Sequence, residues 1–473
     1  MTADDEQGLG QFERREEERR MAYDKGSTEV VEPRRSTPVL GEYDVVVVGG
    51  GPAGVMAAAA AARSGRSTAL VERYGFMGGA GSAGGLSTFC GLHANVHGEH
   101  RQVIHGLADE LLERVERLEG LNPPHLSLGN RVQAQAYDIS AYKIALDDLL
   151  VGAGVTIYFH TLAVGAVMRD EHAVHALLVE SKSGRGALVG SVFIDGSGDG
   201  DLAAWAGAPY EKSSPTSMLY PSLMFRINGV DAEQAGAAWE RLPALMEDPE
   251  VAARYRFPRK RPVVRPQRNP LEWRANLTQI SNPDGSAVDG TDVEQLSWGE
   301  LQGRRQVRDT FPFFREVVPG FGDSYVVDIA PAIGIRETRR IVGPYQLSED
   351  DILDCADFAD TIGVNGWPVE AHVAGDVEIR FPRGADARGF NQLPFRMIVP
   401  DLVDNMYVIG RCASMTHEGQ SSARVSGPCF AMGQAAGTAA DMALSADVAC
   451  GSVDVPELQR RLEKDGAYLG MDW

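Results

Sequence analysis

Cysteine, cationic charge and long apolar runs are all scarce in this 473-residue chain. Its five cysteines (Cys90, Cys355, Cys412, Cys429, Cys450) form no CxxC pair and no dense cluster, which argues against a disulfide scaffold or structural zinc and suits a reducing compartment. Lys and Arg number 45 against 66 Asp and Glu, a formal net charge of −21. Such an acidic surface disfavours nucleic acid and anionic membrane as general partners. No apolar stretch approaches the ~18 residues that span a bilayer, and the first residues lack the apolar core of a signal peptide; the expected place is the cytoplasm. His93, His97, His100 and His105 fall in no HExxH-type frame, so no metal site is expected.

What is present begins at Tyr43. The stretch YDVVVVGGGPAGVMAAAAAARSGRSTALVE ends at Glu72 and predicts a strand, a glycine turn, a helix and a second strand. Its β-branched start suits a strand buried on both faces. In Gly49-x-Gly51-x-x-Gly54 the glycines have separate tasks: Gly49 permits the tight turn, Gly51 lets backbone approach a pyrophosphate, and Gly54 lets the helix pack on the strand. Pro52 and Ala53 open the helix, whose first amides point at phosphate. Glu72 at the second strand's end suits the ribose hydroxyls of an adenosine and would repel a 2'-phosphate. The unit therefore predicts an adenine dinucleotide other than NADP, and by itself leaves FAD and NAD open.

After Arg73 come seven glycines between Gly75 and Gly91. A segment so poor in side chains lets backbone wrap a flat or anionic ligand. Val103 to Leu118 has helical spacing, a further helix is expected at about Ile139 to Ala153, and Val155 to His160, Ala163 to Met168 and Val174 to Ser181 read as a run of strands. Leu188 to Asp195 then enters Gly196-Ser-Gly198-Asp-Gly200-Asp201. A nicotinamide module would carry glycine where Asp201 stands, with a strand-end acid beyond. One dinucleotide unit followed by this strand return reads as an FAD protein whose electrons do not come from NAD(P)H.

From Tyr210 to about Leu393 the chain turns proline- and tryptophan-rich, as a substrate-facing domain would. RYRFPRKRPVVRPQR, Arg254 to Arg268, is a basic island: a solvated surface, or a contact for an anionic substrate or partner. Arg336, Arg339 and Arg340 crowd IRETRRI, where ion pairs with the many acids are the default. Met406 to Ile409 predicts a buried strand ending at Gly410-Arg411. Pro428 opens a small-residue helix whose N-terminus would favour negative charge on a reduced flavin.

VVVVGGGPAG with VER, MGGAGSAGG, DGSGDGDLAAWAGA, IRETRRIVGPYQLSEDDIL and NMYVIGRCASMTHEG with MGQAAGTAA together resemble the FAD-dependent oxidoreductase family of the glutathione-reductase-like flavoprotein superfamily, over about Asp44 to Leu444. The resemblance implies an α/β fold: a Rossmann-like FAD-binding domain of the three-layer ββα type with an inserted α+β substrate domain. The expected divisions are a charged arm (1–42), the FAD-binding domain in two parts (43–210 and 394–446), a substrate or cap domain (211–393) and a C-terminal tail (447–473). It implies that Gly49, Gly51, Pro52, Ala53, Gly54, Glu72 and Arg73 hold the ADP half of FAD. Gly79 and Ala80 would lie beside the cofactor, and Gly410, Arg411, Gly433 and Gln434 would hold its ribityl and flavin end. The expected reaction passes a hydride between a small organic substrate and flavin N5, with His417 as acid or base and Arg336, Arg339 or Arg340 orienting its polar or carboxylate groups. An NAD(P)H-driven monooxygenase and a flavoprotein subunit passing electrons to a partner are the alternatives; a homo-oligomer or an electron-accepting partner is compatible with either. The GWxWxIP segment of flavin halogenases is absent.

Overall fold

A computed structural model describes residues 32, 34–384 and 387–471. The charge run at Glu13 to Arg20 lies outside them. A seven-stranded sheet organises the molecule around β1 (Val39–Val48) and the helix α1 (Pro52–Arg63). β1 starts four residues before the expected domain boundary, because Val39 and Gly41 already pair with the strand beside it. β2 (Thr68–Val71) runs parallel to β1, and β3 (Thr156–Tyr158) parallel to β2. Of the three strands expected in series, the first became β3 on the parallel side, and the other two, β4 (Leu162–Met168) and β5 (Val174–Ser181), form an antiparallel meander with β6 (Gly184–Asp195).

β6 is long enough to serve two neighbourhoods. Its first half pairs with β5, while its last three residues pair in parallel with β7 (Met406–Val408). That pairing returns the chain, after more than 200 intervening residues, to the edge of β6 that faces away from β1. The valines of β1 explain the layering, since successive strand side chains point to opposite faces. Val45 and Val47 pack with the helices, and Val46 and Val48 with the meander.

On the helical face α1 lies against a helix, α2, spanning Ser426–Ala446. A Cβ on Gly433 would sit 2.1 Å from the Ala53 carbonyl oxygen, and one on Gly437 2.2 Å from that of Ala57. The alanine block and the glycines four residues apart thus bring two helix backbones into contact. The stretch after residue 446 is more than a tail. Val455–Lys464 forms a helix with Leu458 and Leu462 buried, and Arg461 bonds Asp441 of α2 at 2.9 Å.

A second, antiparallel sheet of four strands lies within 225–329 (Phe225–Asn228, Val263–Pro266, Trp273–Asn276, Tyr325–Ile329). It has its own core, in which Trp273 and Phe321 are fully buried together with Phe313 and Phe314 of the 25-residue helix Val293–Val317. No helix among the described residues is long and apolar enough to cross a membrane.

Candidate active site

A cavity of about 320 Å³ runs from the turn after β1 to the N-terminus of α2. At one end its wall is Gly49, Gly51, Pro52, Ala53, Glu72 and Arg73, with Gly79 and Ala80 folded over them. The three motif glycines occupy three different situations. Gly49 has φ +92°, and a Cβ there would meet the Gly196 oxygen at 2.5 Å. A Cβ on Gly54 would lie 1.9 Å from the Gly49 oxygen, so this glycine sets the helix against the turn. Gly51 needs neither freedom: its φ is −75°, and its Cβ would find only the Gly79 Cα, 4.0 Å away. Space in front of Gly51 is therefore cavity, as a pyrophosphate cradle requires.

Glu72 is buried at this end. It accepts hydrogen bonds from the Gly50 N–H at 2.8 Å and the Tyr74 N–H at 2.9 Å. Burial pushes its carboxyl above the ordinary value against these bonds. The turn at 195–201 closes the adjoining wall through Gly196, Ser197, Gly198 and Asp199. Asp195 holds that turn, accepting from the Ser197 N–H at 3.0 Å and the Ala203 N–H at 2.9 Å. The helix that follows, Asp201–Trp205, has five residues.

At the other end the wall is Leu86, Thr88, Tyr137, Tyr142, Gly410, Arg424, Val425, Ser426 and Cys429, with Gly290, Leu296 and Glu300 reaching in from the second sheet's unit. Val425 caps α2 and Ser426 begins it, so the helix starts at the cavity two residues before Pro428. Thr88 Oγ1 is buried with no partner. An open cradle at Gly51, an orphaned hydroxyl and a helix N-terminus facing the cavity all suit a long cofactor with an anionic middle.

The remaining expected site residues are placed differently. Gly433 faces α1 rather than the cavity, and Gln434 Oε1 accepts from the Leu107 N–H at 2.9 Å, holding the start of helix Leu107–Arg117. Both are spent on packing helices together. Arg411 borders the cavity, but its guanidinium donates to the Gly198 oxygen at 2.7 Å, to Asp199 at 2.8 Å and to the Ile335 oxygen. It ties the 195–201 turn to the 335–341 segment. Arg339 donates to Asp201 at 2.8 Å, and Arg340 is buried in an ion pair with Glu337, so neither lines the cavity.

His417 is also outside that wall. Its Nδ1 lies 3.0 Å from Glu337 Oε1 and 3.2 Å from Ser213 Oγ. Burial raises the Glu337 carboxyl, but His417, Ser213 and the Leu219 N–H outweigh it and leave the group below its ordinary value. Glu337 is the carboxylate that the His417 Nδ1 meets. Sequence reasoning missed Thr88 and the Arg424-Val425-Ser426 step. The available signal was a cation immediately before a small-residue helix.

One comparison with known proteins names a cofactor class. A family model described as FAD dependent oxidoreductase matches residues 44–462. Dihydrolipoyl dehydrogenase of Trypanosoma brucei brucei is 56% identical over 46 residues, 10% of either chain. Soluble pyridine nucleotide transhydrogenase of Mycobacterium bovis is 31% identical over 133 residues, 28% of either chain. The chain thus spans under a third of the length of these curated relatives. Among solved structures, p-nitrophenol 4-monooxygenase from Pseudomonas putida is 13% identical with a TM-score of 0.45, covering 90% of this chain and 82% of that one. A geranylgeranyl bacteriochlorophyll reductase-like protein from Thermoplasma acidophilum is 14% identical with a TM-score of 0.44, covering 89% and 82%.

Proposed function

Because the chain belongs to the FAD-dependent oxidoreductase family, we propose that it exchanges a hydride with a small organic substrate at the Arg424 end of its cavity. The carrying observation is the cavity itself, which joins an open glycine cradle at Gly51 to a helix N-terminus at Ser426. FAD, the cofactor of this family, supplies the two-electron chemistry when bound. Gly49, Gly51, Pro52, Ala53, Glu72 and Arg73 hold its adenosine and pyrophosphate, with Gly54 fixing the turn they belong to. Gly79, Ala80 and Gly410 flank it. The amides at the start of α2 favour negative charge at the redox end, which stabilises the reduced form.

The unit around residues 225–329 contributes Gly290, Leu296 and Glu300 to the cavity and acts as the substrate cap in this reading. His417 and Arg340 position the 335–341 wall through Glu337, and Arg339 does so through Asp201. The five-residue helix after the 195–201 turn is too short to make a nicotinamide module, which favours direct exchange with substrate over an NAD(P)H-driven oxygenase.

The test is anaerobic. Purified protein should be yellow and release FAD, not FMN, on denaturation, and one of a panel of candidate metabolites should bleach the bound flavin. Recovery of FMN, or rapid bleaching by NADH or NADPH with no organic substrate effective, would refute the assignment.

A further inference from the structure

Beyond the cofactor's end of the cavity lie several buried guanidiniums that bond no carboxylate. Four guanidiniums come from four separate segments: Arg259 in the basic island, Arg274 on the strand Trp273–Asn276, Arg336 before the strand Arg340–Ile341, where it donates to the Tyr220 oxygen at 2.7 Å and to Ser222 Oγ at 2.8 Å, and Arg424 just ahead of α2, the one of the four that lines the cavity. Among the described residues none of the four forms an ion pair with a carboxylate. Arg274 and Arg259 are each only 3% exposed. Arg424 lines the cavity, and Arg274 donates to the oxygen of Leu86, another lining residue, at 2.9 Å. The Nε atoms of Arg259, Arg274 and Arg424 are buried without a partner.

One acid, Glu370, acts on three of them. Glu370 accepts from the Trp367 indole N–H at 2.9 Å and lies 3.4 Å from His372 Nε2. Its backbone oxygen receives Arg424 Nη2 at 3.4 Å. Burial and the Arg336 charge hold His372 neutral, down at about 3. Burial lowers Arg259 and Arg274 only to about 10, so both remain cations at neutral pH. Burial also pulls Arg336 down, followed by repulsion from Arg424 and Arg259, which places the three within each other's field.

Asp376 near Arg259 and Glu337 near Arg424 add further negative charge, but among the described residues none of the four guanidiniums has a carboxylate bonded to it. A buried charge without a partner is costly, and buried polar groups are normally hydrogen-bonded. Arginine is the side chain suited to meeting a carboxylate with paired N–H donors. We propose that this arginine cluster receives the carboxylate of the substrate, making the protein an oxidoreductase of organic acids, with Arg424 as the contact at the cavity wall. The assignment rests on the redox reading above in that the acid sits beside FAD in the same cavity.

The test uses the FAD-loaded protein and the visible flavin band as reporter. Acetate, benzoate and succinate should each perturb the band saturably, and acetamide, benzamide and succinamide should not. Arg424→Met should weaken acid binding by about 30-fold or more, and Arg424→Lys, which keeps the charge but loses the fork, should weaken it less. Equal responses to acid and amide, or no response to any acid, would overturn the assignment; this wild-type comparison decides even if Arg424→Met fails to retain FAD. A neutral alcohol or amine that bleaches the flavin while no acid binds refutes the organic-acid assignment and leaves the redox proposal standing. Acids that bind to a protein whose flavin no compound reduces would do the reverse.

Discussion

The two ends of the cavity are built on opposite plans. The Gly51 end comes from one stretch of about thirty residues and works through backbone: its glycines make room, and its one acid is held by two main-chain amides. The Arg424 end draws on segments hundreds of residues apart and works largely through side chains, Thr88, Tyr137, Tyr142, Leu296, Glu300 and Arg424 among them. The difference follows from what each end must recognise. A cofactor's pyrophosphate and ribose never vary, so a local backbone device suffices. A substrate differs from one enzyme to the next, and side chains brought together by the fold can change without disturbing the turn.

The sharpest way to break this comparison lies within the glycine motif. Gly54→Ala should yield no folded protein, since its Cβ would be 1.9 Å from a backbone oxygen. Gly51→Val should fold with unchanged apo thermal stability yet purify without FAD, because its side chain enters only the cavity. If Gly51→Val instead retains FAD, the cradle is misassigned.

Glu337→Gln probes the scaffold behind the other end. It removes the carboxylate that Arg340 and His417 share, leaving a buried guanidinium unpaired at a cost of about 3 to 5 kcal/mol in chemical denaturation. The pH dependence has a defined sign. Glu337's folded value lies below its ordinary 4.5, so its stabilisation is complete above pH 4.5 and disappears as pH falls through the lower folded value. Melting curves from pH 7 to 3 should show a flatter acid limb in the variant than in wild type; an unchanged slope would contradict the pairing.

Next in size, Glu72→Ala should weaken FAD retention by about 2 to 4 kcal/mol, the worth of one or two charge-assisted hydrogen bonds. Equilibrium dialysis of FAD measures this directly, and unaltered retention would leave Glu72 with only its turn-holding bonds to Gly50 and Tyr74. His417→Ala should do far less. A lost catalytic acid or base slows reaction by about 10²-fold or more; with its Nδ1 turned to Glu337, His417 should cost less than about 10-fold in substrate-dependent flavin reduction, measured by stopped flow. A larger loss would return it to the reacting centre. The smallest expected effect is none: neither NADH nor NADPH should bleach the flavin rapidly in anaerobic mixing.

The local unit was legible from residue types alone. Val45 to Val48, Gly49, Gly51, Gly54 and the helix to Arg63 stand where the spacing puts them, because strand alternation, a turn of positive φ and helix packing are set by residues a few positions apart. The helix Ile139–Ala153 and the strand Val174–Ser181 were equally plain. Side-chain partnership was not. Position in the chain put His417 and Gln434 beside the cofactor, yet one meets Glu337, eighty residues away, and the other caps a helix 327 residues away. Arg274, Arg336 and Arg424 have nothing in common along the chain, and the basic island around Arg259 read equally well as solvated surface. What the amino-acid order determined by itself is the dinucleotide unit, because its geometry closes over short separations. Which charges share the interior was decided only when the 335–341 segment, the second sheet and α2 packed around one cavity. That is a matter of long-range burial, which no local spacing encodes.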